Sequence, residues 1–272
     1  MKENSLEDQK LYDIAHLALD MGNYLLSSGA HCGRVYRNLS RITETWGVKI
    51  HIHITFTGLL ITAECNQSEE GYCGRAVTLF KKTKKYDINF SAINEISQLS
   101  WLIAGENISV EKARILFNRI CSAKRYSTPT LLLGIGFSCA CLCLVAGGDW
   151  RDAIIGFIAS ITGMAARSLI IKQDYNLMFS FVVAAFITTL ITSLHLTGIF
   201  EPLWGLSAAP DRALATAVLY LVPGVPLTNS LIDLIEGYIP SAMVRAAFGT
   251  FILLCIAVGM SISILLFGIN QF

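Results

Sequence analysis

The stretch LYLVPGVPLTNSLIDLIEGYIP, residues 219–240, concentrates residue types able to do chemistry within an apolar background. Pro223, Gly224, Val225 and Pro226 interrupt a helix there, because each proline removes a backbone donor and crowds the preceding turn. At membrane depth the freed carbonyls must be buried in protein or face water. A half-helix restarting at Pro226 would aim its first amides into the gap and present partial positive charge, a cradle suited to a carboxylate. Thr228 and Asn229 fall in that first turn. Asn229 and Asp233 stand at i and i+4, and Asp233 and Glu236 at i and i+3, so one helix face carries a polar stripe. The expected ligand-binding residues are therefore Pro223, Gly224, Val225, Pro226, Thr228 and Asn229. Asp233 is the expected proton-coupling residue, because a carboxyl facing a partly dehydrated cavity has its ionised form disfavoured. The competing reading is a packing kink that leaves Asp233 and Glu236 in the inner interface.

Other chemistry-bearing residues form no complete site. His51 and His53 share one face of a strand, but no further ligand cluster completes a metal centre, so no metal and no cofactor is expected. Ser28 and His31 lie three apart around a glycine turn, which is no evidence for a nucleophile and its base. Arg34, Arg37 and Arg41 line up on one helix face and read first as a solvated face. The chain has eight cysteines, and no two have the C-x-x-C spacing of zinc or redox sites. Cys32, Cys65, Cys73 and Cys121 are expected as free thiols, and Cys139, Cys141 and Cys143 as small apolar filler. Nucleophile elbows, phosphate loops, dinucleotide glycine patterns and H-E-x-x-H are all missing from the sequence.

The elements that must position these residues fall into two regions. Of 21 Lys and Arg, 16 lie in residues 1–125, as do 13 of the 20 Asp and Glu. The rest is too apolar for a soluble domain, with 53% hydrophobic residues and a mean hydropathy of +0.54 over the whole chain. The division expected is a cytoplasmic α/β domain over 1–125 and a transmembrane domain over 126–272. A net charge of +1 gives no reason to expect a nucleic-acid partner. In the first region, Leu11, Ile14, Ala18, Met21 and Leu25 alternate by three and four, predicting a helix that ends near Ser28-Gly29. Val35, Leu39, Ile42 and Trp46 predict a second, ended by Gly47. VKIHIHIT at 48–55 alternates as a half-buried strand does, and Gly58 separates it from the apolar run 59–63, predicting a hairpin. A further strand near 76–80 and helices near 92–103 and 110–121 follow.

In the second region, apolar runs at 130–148, 153–171, 177–199 and 243–268 predict membrane spans, and 213–237 a fifth, broken at Pro223–Pro226. The fold class is thus an α-helical polytopic membrane protein, with lipid as one partner. Gly156 with Ser160, and Ala159 with Gly163, put small residues four apart and predict close helix packing. With a cytoplasmic N-terminus, Lys124, Arg125, Arg167, Lys172 and Arg245 fall inside and only Arg151 and Arg212 outside, as the positive-inside rule requires.

Two stretches, LLSSGAHCGRV at 25–35 and LVPGVPLTNSLIDLIEGYIPSAMVRAAFG at 221–249, together with the small-residue-rich first two spans, resemble the threonine/serine exporter family. The chain looks closest to the longer subunit of split exporters. The resemblance implies bacterial inner-membrane export of small polar acids, threonine and serine or dicarboxylates such as succinate. It also implies a shorter, membrane-embedded partner subunit. Other classes weighed against it are a membrane-anchored, hydrolase-like enzyme and a ligand sensor, each using residues 1–125. Nothing in the sequence resembles an ATP site. Five spans require the two ends of the chain to lie on opposite sides of the membrane. A reporter placed before Lys2 should therefore read as cytoplasmic and one placed after Phe272 as extracytoplasmic; both on one side would show that the broken segment does not cross.

Overall fold

The computed structural model describes residues 2–65, 76–83, 87–123, 126–205, 207 and 209–267. Cys73, Lys124 and Arg125 lie outside the described residues. Two compact units emerge, one of Met1–Lys124 with Val225–Ala247, the other of Arg125–Gly224 with Phe248–Phe272.

The first unit opens with α1 (Lys2–Ser27) and α2 (Cys32–Thr45), followed by β1 (Val48–Thr55), β2 (Gly58–Cys65) and β3 (Ala76–Lys82), then α3 (Phe90–Glu106) and α4 (Val110–Cys121). The strands form one antiparallel sheet in the order β1-β2-β3, with Val48 opposite Cys65, Thr55 opposite Gly58, and Ile61 opposite Leu79. Alternation along β1 is as expected: Val48, Ile50 and Ile54 are buried while Lys49, His51 and His53 are exposed. Ile14, Leu17, Met21 and Leu25 of α1 pack with Val35, Leu39 and Ile42 of α2, Leu59 and Ile61 of β2, and Ile96 and Ile103 of α3 in a single apolar core. Helix α1 starts well before Leu11 because residues 2–10 are mostly polar helix formers; residues 8–10 are exposed and Leu11 is buried. Capping by Asn89 and Ser109, whose side chains accept from Ala92 and Lys112 N–H, sets the starts of α3 and α4.

The second unit holds α5 (Thr128–Val145), α6 (Trp150–Lys172), α7 (Leu177–Leu196), the short α8 (Glu201–Trp204), α9 (Pro210–Ala217) and a 3-10 turn at Leu219–Leu221. The chain ends in α10 (Gly224–Ile235) and α11 (Ile239–Phe267), each divided between the two units. Among the described residues, α5, α6, α7 and α11 are long and apolar enough to cross a membrane. The broken pair Pro210–Leu221 and Gly224–Ile235 makes a fifth if counted as one span. The protein is therefore a polytopic membrane protein. One boundary differs from expectation: the helix restarts at Gly224, two residues before Pro226. A proline in the first turn costs no intrahelical bond, since amides there have no partner to lose.

The small-residue face of α6 does more than admit a helix. Ala159, Ser160 and Gly163 are all buried. A Cβ on Gly163 would overlap the hydroxyls of Thr188 and Tyr220, which lie 3.0 Å apart. Substituting Gly163 by Ala should therefore lower the unfolding temperature of the purified protein, whereas Gly134→Ala, at an exposed position with open space around it, should leave it unchanged.

Candidate functional site

In the first unit, the start of α2 and the polar face of α10 meet. Helix α1 ends at Ser27, Gly29 takes the left-handed conformation (φ 94°), and His31 caps α2. The loop between α1 and α2 leaves the Gly29 and Ala30 carbonyls and the Cys32 amide outside both helices, and side chains from α10 and α11 satisfy all three. Asn229 Nδ2 donates to the Gly29 carbonyl at 2.7 Å. The Cys32 amide donates to Asp233 Oδ1 at 2.7 Å, and the Cys32 thiol lies 3.3 Å from Oδ2. Arg245 Nη2 donates to the Ala30 carbonyl at 3.0 Å, and its Nε stands 3.0 Å from Asp233 Oδ2. Asp233 is fully buried and Arg245 is 1% exposed. The Arg245 guanidinium also faces the Phe56 ring, 5.6 Å from its centroid.

One turn beyond Asp233, Glu236 meets the same loop at the surface. It pairs with Arg37 Nη1 at 2.9 Å and His31 Nδ1 at 3.1 Å. A Cβ on Gly33 would overlap the Glu236 carboxylate, so only glycine admits this approach. His31 Nδ1 also lies 3.3 Å from the Arg34 amide. It can accept from that amide only when bare, and donate to Glu236 only when protonated. Burial, opposed by Glu236, pulls the His31 pKa below its ordinary 6.5. Burial also works against ionisation of Glu236, but Arg37 and His31 outweigh it and hold the carboxyl below the usual range. Burial raises the Cys32 thiol to about 11, so at neutral pH it is protonated and unreactive.

His31, Asp233 and Glu236 bring ligand atoms within 4.8 Å of one another. The guanidiniums of Arg37 and Arg245 already hold the two carboxylates, so a metal ion would compete against two fixed positive charges. The cluster is better suited to moving protons or exchanging anionic partners than to holding a cation.

Of the residues expected from sequence, Pro223 and Pro226 are buried, Val225 is half-buried, and Gly224 and Thr228 are exposed. Asn229 and Asp233 come together with the Gly29–Cys32 loop, and Thr228 stands apart from that contact on the exposed side of α10. His51 and His53 are exposed, with His51 Nε2 3.7 Å from Glu64. Periodicity and spacing assign no role in this site to His31, Cys32, Arg37 or Arg245. The signal for them was the pairing of the two distinctive stretches, 25–35 and 221–249, whose side chains supply nearly every contact described.

The fold and site define a polytopic membrane protein with a buried ion pair between α10 and α11. A family model described as "Putative threonine/serine exporter" matches residues 16–267, and the chain belongs to this family. It is 28% identical over 258 residues to the "Probable succinate transporter subunit YjjP" of Escherichia coli (strain K12), covering 94% of this chain and 96% of that protein. The protein of the same description from Klebsiella aerogenes is 26% identical over 258 residues, covering 94% of this chain and 95% of the relative. It is also 29% identical over 233 residues to the "Threonine/serine exporter" of Corynebacterium glutamicum, covering 85% of this chain but only 47% of that protein. No solved structure matches the chain. The protein is accordingly an exporter-family membrane protein, and its family is one of transporters.

Two outcomes are expected here. Replacing Arg245 by Met leaves a buried carboxylate uncompensated and should destabilise the fold by about 3–5 kcal/mol. Combining it with Asp233→Leu should recover most of that loss in thermal unfolding of the purified protein. The second concerns pH. A group whose folded pKa is depressed contributes stability above its unfolded pKa and loses it as pH falls through the folded value. For His31 that loss begins below about pH 6.5 and for Glu236 below about pH 4.3. The unfolding temperature should fall with acidification in both windows, and His31→Gln should remove the higher one.

Proposed function

We propose that this chain is one subunit of a bacterial inner-membrane secondary exporter of small polar acids, threonine and serine or dicarboxylates such as succinate. Its N-terminal region, residues 1–125, lies in the cytoplasm, and it works with a shorter, membrane-embedded partner. The observation that carries this reading is the convergence of the stretches 25–35 and 221–249 on one buried ion pair beside a broken helix. The relatives support the division of labour: the Escherichia coli protein is described as a subunit, and the Corynebacterium glutamicum exporter has about twice the matched length.

In this proposal the substrate carboxylate is received at the start of α10, by the amides following Pro226 and the side chains of Thr228 and Asn229, with Pro223, Gly224 and Val225 forming the break. Asp233, one turn on, is the proton carrier. Arg245 is its partner between turnovers. An arriving carboxylate that competes for Arg245 releases Asp233 to take up a proton, so binding of the anion and of the proton are linked.

The test is a pair of substitutions in the exporter co-expressed with its partner, each checked for insertion and assembly. Asp233→Asn cannot cycle a proton, so transport should lose its pH dependence while substrate binding survives. Thr228→Val should weaken binding by roughly 1–3 kcal/mol through loss of a hydrogen bond to a charged group. If both variants transport at the unmodified rate and pH profile, the break is a packing kink and the site lies elsewhere. The chain alone in liposomes should not transport, since alternating access commonly works between two repeats; robust efflux without a partner would replace the two-subunit reading with a self-assembled one.

A further inference from the structure

The second unit contains a buried acid–base pair that the reading above does not use. Asp152, in the first turn of α6, is fully buried, and His195, in the last turn of α7, is 9% exposed. Asp152 Oδ1 lies 2.8 Å from His195 Nε2 and accepts from Ser207 Oγ at 2.6 Å; Oδ2 accepts from the Asp149 amide at 2.7 Å. A carboxylate that accepts from a hydroxyl and an amide is set up to be ionised, and so takes a proton donor from the imidazole as well. That fixes the tautomer: the neutral ring carries its hydrogen on Nε2 and leaves Nδ1 bare. His195 Nδ1 is buried and has no hydrogen-bond partner among the described residues.

The same helix presents further polar atoms in an apolar span. Thr188, Thr189, Thr192 and Ser193 are all fully buried. Thr189 Oγ1 and Ser193 Oγ, one helical turn apart on a different face of α7 from His195, also have no hydrogen-bond partner among the described residues. Buried polar atoms are nearly always satisfied, so an orphaned imidazole nitrogen on a buried, ion-paired histidine calls for a role. Ionisable side chains within membrane spans characteristically serve ion and proton pathways.

We propose that the Asp152–His195 pair is a proton-binding station of the membrane unit, loading and unloading at His195 Nδ1. Loading forms one N–H bond and converts neutral imidazole beside a carboxylate into an imidazolium–carboxylate pair; unloading reverses it. The step uses no other reactant than the proton of an acid or water on either side. The charged groups on the neighbouring elements have partners or exposure of their own. Asp149 caps α6 and lies 3.7 Å from Arg151, while Asp211 and Arg212 of α9 lie 3.5 Å from each other and are exposed. Glu201 of α8 is exposed, Cys143 of α5 is a buried thiol, and the Phe200 ring lies 6.3 Å from the imidazole. Among the described residues, the ion pair of His195 is with Asp152.

The proposal rests on the transporter reading, and two measurements separate their failures. In proteoliposomes holding the chain with its partner, His195→Gln keeps a donor for Asp152 but cannot titrate. Succinate or threonine exchange, which needs no net proton movement, should persist, while the response of net efflux to an imposed pH gradient should fall at least about tenfold, about 1.4 kcal/mol of lost coupling. An unchanged response overturns the station. The second measurement uses the unmodified membrane protein, labelled with 15N-histidine, with the other four histidines, His16, His31, His51 and His53, replaced in turn to assign the fifth. Nδ1 of His195 should change from bare to protonated over the pH range in which the protein stays folded. An imidazole locked in one state across that range overturns the proposal, also where His195→Gln loses all transport. If the unmodified pair of subunits moves neither substrate, the exporter reading fails while the titration still decides the station.

Discussion

A buried carboxylate cannot stand alone, and the first unit is organised around the way Asp233 is satisfied. Its charge is met by Arg245, its oxygens by the amide and thiol of Cys32, and Arg245 Nη2 in turn donates to the Ala30 carbonyl. Breaking one member of such a set costs more than the set contributes, because the partner is left charged and dry. This explains why a helix from late in the chain and a loop from near its start are tied together. The loop between α1 and α2 has exposed backbone groups that need partners, and α10 with the start of α11 supplies them. Ser241 adds a further tie, donating to the Ile54 carbonyl at 2.9 Å.

Around that buried pair lies a softer layer. Glu236, Arg37 and His31 meet where solvent reaches them, so their attraction is weaker and open to pH and salt. Nδ1 of His31 faces a choice between the Arg34 amide and the Glu236 carboxylate, and its protonation decides which is served. A rigid, desolvated pair thus stands beside a rim whose contacts respond to pH.

The second unit solves a different problem. Its helices carry hydroxyls and an acid–base pair through apolar spans, and glycine and alanine on α6 make room for them. Gly163 is the tightest case, since the hydroxyls of Thr188 and Tyr220 occupy the volume that a side chain would need. Small residues four apart thus serve both close packing and the burial of polar groups, which are favoured together where lipid offers no hydrogen bonds.

Much of the fold was legible in the sequence because it follows from local periodicity. The alternation of VKIHIHIT gave a strand with its apolar face inward, the three-and-four spacing from Leu11 gave α1, and uninterrupted apolar runs gave the spans. The break at Pro223–Pro226 followed from proline chemistry, although the restart at Gly224 did not, because a first-turn proline is compatible with either start. What sequence could not decide was which distant groups meet. Asp233 and Arg245 are twelve residues apart across a turn, and the loop that completes them lies some two hundred residues earlier. Arg245 reads alone as a topological charge, His31 as a turn residue, and Arg37 as part of a solvated face. Asp152 and His195 likewise sit at opposite ends of different spans in the sequence. Only tertiary packing removes such groups from water, and that removal turns ordinary charges into obligatory partners.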